Sequence, residues 1–116
     1  MKLYLDGRWM SAVSGQTRSV VNPATEEMVE EVAEAGTADI DEAAMAARRA
    51  FDEGPWGEMS PHQRAVVLGR FVEILTARRD DAIDRVISEV GTPIKLARGL
   101  QVQTPLEHLA DMVDRV

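Results

Sequence analysis

"FDEGPWGEMSPHQR", residues 51–64, joins two segments of helical periodicity and decides how the chain is divided. Gly54-Pro55 is a stop signal, because proline lacks the N–H that would continue a helix and its ring crowds the preceding turn. Ser60 then reads as an N-cap, with Pro61 at the first helical position and Gln63 at the capping-box position. Between stop and start, Trp56 is expected to plug the corner.

Working upstream, Ile40, Ala43, Ala44, Ala47 and Phe51 recur at the spacing of one helical face, with Asp39 and Glu42 as a capping pair at its start. Downstream, a helix is expected from Pro61 to Ala77 with Leu68, Phe71, Val72 and Leu75 on one stripe. A bend at "RRDD" leads to a stripe of Ile83, Val86, Ile87 and Val90, which Gly91 ends. Thr92-Pro93 repeats the cap-plus-proline start, and Leu96, Leu100, Leu106, Leu109, Met112, Val113 and Val116 continue at helical spacing. Pro105 is expected to kink this last helix, since it removes one backbone hydrogen bond. The apolar pattern is still running at Val116, with no capping signal to close it.

The first 35 residues have a different period. Asp6-Gly7 lies between two short β-prone runs and suits a two-residue hairpin turn, whose central positions both take φ > 0. "TRSVVNP" and "EMVEEVAE" flank a second turn. The expected fold class is therefore α+β, with two small antiparallel hairpins in residues 1–35 followed by three to four helices in residues 38–116.

The 116 residues suffice for one modest core, and only two Phe, two Trp and one Tyr are present, so that core should be largely helical. A net charge of −7 argues against nucleic-acid partners, which need a Lys/Arg surplus, and against a polybasic membrane patch. No apolar run is long enough for a signal sequence or a membrane span, so the expected location is cytoplasmic. The absence of cysteine removes disulfides, thiolate metal sites and a thiol nucleophile. The eight glycines never take the spacing of a dinucleotide fingerprint. His62 and His108 have no partner at metal-ligand spacing, and Ser60 with His62 is more simply a cap than a nucleophile and its base. The residues alone thus assemble no catalytic site.

Four stretches, "YLDGRWMSAVSGQT", "VVNPATEE", "DIDEAAMAARRAFDEGPWGEMSPHQRAVVLGRF" and "EVGTPIKLARGLQV", resemble in order and spacing the N-terminal portion of the NAD(P)-dependent aldehyde dehydrogenase family. The resemblance covers nearly the whole chain. It implies a single partial domain, residues 1–116, the N-terminal segment of a nucleotide-binding domain of the α/β aldehyde dehydrogenase fold, around which its hairpins and helices pack, with the remainder of such a chain as its partner. It also implies NAD or NADP as cofactor, bound elsewhere. The family's cysteine nucleophile, glutamate base and oxyanion-stabilising asparagine lie downstream of the matched region, so no catalytic or cofactor-binding residue is expected here. Glu89 matches an acidic position that in some members helps bind a structural cation, together with main-chain carbonyls at Val20 and Val21. Leu100 and Thr104 match positions that in some members line the substrate tunnel. The plainer readings are a solvated helix-end carboxylate for Glu89 and core packing for Leu100.

Glu26 stands where the family often has glycine; if that turn needs φ > 0, the glutamate costs about 1 kcal/mol. Pro105 likewise interrupts a helix that many members continue. On this reading the chain is inactive alone, and its helix stripes are left wet for want of cover. It is then expected to be marginally stable, partly molten or self-associated. The alternative is a stand-alone helical interaction module that presents an apolar groove and has no catalysis.

Overall fold

A computed structural model describes residues 1–115. It contains two antiparallel hairpins followed by helices, the expected α+β order. Two compact units are present: Met1–Val21 with Glu26–Glu58, and Asn22–Thr25 with Met59–Val116. Val116, the last position of the expected final stripe, lies outside the described residues.

In the first unit, β1 (Leu3–Leu5) pairs with β2 (Arg8–Met10), setting Leu3 opposite Met10 and Tyr4 opposite Trp9. Asp6 (φ 48°) and Gly7 (φ 77°) supply the two left-handed residues that a tight hairpin of this twist requires. Alternation along the strands leaves Leu3, Leu5 and Met10 half-buried and turns Tyr4 and Trp9 outward, their ring centroids 5.0 Å apart.

The second hairpin, β3 (Thr17–Val21) with β4 (Met28–Ala33), carries an irregularity at its turn end. Val20 faces Glu30 while Val21 faces Met28, so Val29 is the extra residue of a bulge. Glu26, in the connecting turn, has φ 61°. The turn does require the left-handed region, and the glutamate bears the cost that a glycine avoids.

Helix α1 (Thr37–Glu53) begins where the sequence indicated but presents a different face inward. Asp39 and Ala46 are buried and Ala43 is half-buried, whereas Ile40 and Phe51 are 60% and 76% exposed. Of the expected stripe only Ala43 is half-buried; Ile40, Ala44, Ala47 and Phe51 are exposed. The inward side instead carries a buried carboxylate, Asp39, beside Ala46. Gly54 caps α1 with extended backbone (φ −76°), and a Cβ there would collide with the Ala50 carbonyl oxygen. Glycine is required at this corner for space and not for a positive φ. A 3-10 turn, Pro55–Gly57, follows and is closed by the Glu58 N–H donating to the Pro55 carbonyl. Trp56 does not plug the corner. It is 42% exposed, on a short turn that the Glu58 N–H closes on the Pro55 carbonyl.

In the second unit, α2 (Pro61–Ala77) has the expected start: Ser60 Oγ accepts from the Gln63 N–H at 3.3 Å, and Gln63 Oε1 accepts from the Ser60 N–H at 2.8 Å. Leu68, Val72 and Leu75 are half-buried, while Phe71 of the same stripe is exposed. After a bend at Arg78, α3 (Arg79–Val90) ends on left-handed Gly91 (φ 69°). A short helical turn, α4 (Ile94–Leu96), runs into a π-helical segment, Ala97–Gln103, and then into α5 (Thr104–Asp114). The core of this unit is Ile83, Ala97 and Val102, with Val86, Ile87 and Leu106 packed around it. α2 lies against α5, and Gly69 faces the Val113 side chain.

Two local expectations change. Thr92 does not cap α4; its hydroxyl bonds Gln101 Oε1 at 3.0 Å, and the cap position belongs to Pro93. The effect of Pro105 is spread over the preceding turn as the π segment. Lacking an N–H and crowding the turn behind it, the proline favours a wider register, in which the Thr104 N–H reaches back five residues to the Gly99 carbonyl.

Candidate functional site

Asp39, in the first turn of α1, is a buried ionisable side chain whose pKa is shifted. It is not the N-cap expected from the sequence. Gly36 occupies that position, and Asp39, three residues on, reaches back to accept from the Gly36 N–H at 2.8 Å. Its second oxygen accepts from the Val13 N–H at 3.0 Å, tying the loop after β2 to the start of the helix. These N–H groups, Gly36 foremost and Val13 next, hold the carboxyl below the ordinary aspartate value, against the opposing effect of burial. Although the side chain is 2% exposed, both its oxygens are satisfied by fixed backbone dipoles. The anion at this helix start is therefore the chain's own carboxylate.

That matters for nucleotide binding, because β4 to α1 is the strand-to-helix turn among the described residues. A dinucleotide's phosphates need free N–H groups on a glycine-rich turn. Here the cap N–H is taken, and the turn "EAGT" holds one glycine. This turn does not offer the glycine-rich cradle of free N–H groups that a dinucleotide's phosphates need.

The expected cation ligands fall in both units. Val20 and Val21 sit at the bulged end of β3, half-buried and exposed respectively. Glu89 is on the last turn of α3, exposed, with Arg85 Nη1 3.4 Å from its Oε1. Among the described residues, no three His, Cys, Asp or Glu side chains are grouped to hold a metal ion. Leu100, on the π segment, is 65% exposed, so plain core packing does not account for it. Thr104 is half-buried, and its hydroxyl donates to the Gly99 carbonyl at 3.1 Å. His62 and His108 are exposed on α2 and α5.

Two of the quoted stretches meet inside the second unit. The proline of "NPAT", Pro23, lies on Gly91 of "EVGTP", where a Cβ would come within 2.7 Å of Pro23 Cγ. Asn22 holds its own turn, its Oδ1 accepting from the Ala24 N–H at 2.9 Å. The glycine is needed for φ and for contact at once.

The family model described as "Aldehyde dehydrogenase family" matches residues 9–116. The chain belongs to the aldehyde dehydrogenase family. It is 37% identical over 102 residues to 2-hydroxymuconic semialdehyde dehydrogenase of Pseudomonas sp. (strain CF600), covering 88% of this chain and 21% of that one. An NAD-dependent aldehyde dehydrogenase from Sinorhizobium meliloti superposes with a TM-score of 0.92 at 31% identity, over 98% of this chain and 23% of its own. A Pseudomonas syringae aldehyde dehydrogenase C mutant, solved with NAD+ and octanal, gives 0.89 at 41% identity, over 97% and 23%. The chain thus spans about a fifth of the length of the curated relatives it matches. Among the described residues, no helix of this aldehyde dehydrogenase segment is long and apolar enough to cross a membrane.

The sequence reading missed Asp39 as a latch. An acidic residue three positions after a glycine at a helix start was the available signal. Val13, 26 residues away, left none.

Proposed function

We propose that this chain is the N-terminal portion of a cytoplasmic oxidoreductase that converts an aldehyde to a carboxylic acid with hydride transfer to NAD or NADP, and that it has no dehydrogenase activity by itself. The reading rests on one observation: a chain without cysteine superposes closely on less than a quarter of a solved NAD-dependent aldehyde dehydrogenase. The nucleophile that forms the thiohemiacetal in this family must then come from elsewhere. When bound, the nicotinamide supplies the hydride acceptor.

The chain's own residues do structural work in this reading. Residues 1–116 form one partial segment of the nucleotide-binding domain, and its exposed side chains, such as Ile40, Phe51, Val66 and Ile74, cover protein that belongs to the rest of the enzyme. Without that cover the isolated chain is marginally stable, partly molten or self-associated. The Glu89 carboxylate, with the carbonyls of Val20 and Val21, contributes to a structural monovalent-cation site. Leu100 and Thr104 contribute to the substrate tunnel, an assignment favoured by the open position of Leu100.

The direct test is NADH or NADPH formation by the purified chain with short and long aldehydes, octanal included. None is expected with either cofactor. Turnover above a buffer control, abolished by no contaminant-removing step, overturns the claim of inertness. The reading of the nucleotide sequence past Val116 tests the other half: an in-frame continuation without a cysteine nucleophile motif contradicts it.

A further inference from the structure

We draw no further inference here: the strongest candidate, the exposed apolar face of α1 that carries Ile40, Ala44, Ala47 and Phe51, carries nothing beyond the proposed reading because nothing in the structure shows what covers it.

Discussion

Gly91→Ala should be among the most damaging single-methyl changes in the second unit, and the damage divides into two separable parts. The first is conformational: φ is 69° at this position, and an L-residue with a Cβ there costs about 1–2 kcal/mol. The second is steric. The new methyl would stand 2.7 Å from Pro23 Cγ, part of a ring that cannot swing away, and overpacking of this kind costs about 1–3 kcal/mol. Together they remove roughly 2–5 kcal/mol from a chain whose total should not exceed the ordinary 5–15 kcal/mol. With a urea dependence of about 2 kcal/mol per molar, the midpoint should fall by about 1–2.5 M. Urea unfolding followed by far-UV circular dichroism measures this, in a trimethylamine N-oxide background that strengthens apolar burial. Pro23→Ala separates the parts, because it removes Cγ and Cδ and leaves only a Cβ at 3.8 Å, an ordinary contact. In that background Gly91→Ala should cost only the conformational part, about 1–2 kcal/mol. An equal cost with and without the proline ring would refute the packing argument. A negligible cost in both would refute the conformational one as well.

Other expectations follow from single positions. Glu26→Gly relieves a left-handed glutamate but adds backbone freedom to the unfolded chain, so a net gain of about 0.5–1 kcal/mol is expected; a lower urea midpoint would count against it. Ser60→Ala should lose about 1 kcal/mol with the cap of α2, while His62→Ala should leave the midpoint unchanged. Because the folded-state pKa of Asp39 is depressed, its stabilisation is complete above the ordinary aspartate value of 3.8 and is lost as pH falls through the folded value. A carboxyl-carbon NMR titration should place its midpoint below 3.8, and one at or above that value would show that the N–H bonds from Gly36 and Val13 do not persist. If Glu89 helps hold a monovalent cation, replacing sodium or potassium by choline should lower the thermal midpoint, and Glu89→Gln should remove the difference; insensitivity in both forms argues against the site.

Features written in short stretches of chain were legible. Asp6-Gly7 specifies its turn because two adjacent residues must both adopt positive φ, and Ser60 with Gln63 specifies a helix start because the reciprocal bonds span three residues. Glu26 was readable as a departure from glycine only through the family resemblance, and its φ of 61° bears that out. What stayed hidden depends on distant partners. The inward face of α1 carries Asp39, held by the Val13 N–H from 26 residues away, and counting apolar residues found only Ala43 of that side. Thr92 looked like a cap until Gln101, nine residues on, took its hydroxyl. The proline at 105 announced an interruption, but whether it appears as a sharp kink or a widened turn depends on how Ala97 and Val102 pack on α3. For the candidate site, Glu89, Val20, Val21, Leu100 and Thr104 came from family resemblance alone; their local chemistry carries no signature that would single them out.

The uncovered stripes also bear on how such an enzyme is made. In the Sinorhizobium meliloti relative, 98% of these 116 residues corresponds to 23% of the chain, so roughly 380 residues would still be unmade when an equivalent segment emerges. At a synthesis rate of about 5–20 residues per second, that is a wait of about 20–80 s with Phe51 and Ile40 in water. A nascent chain of this design therefore offers holdase chaperones a long window for capture, and slowing the ribosome should increase its traffic into aggregates.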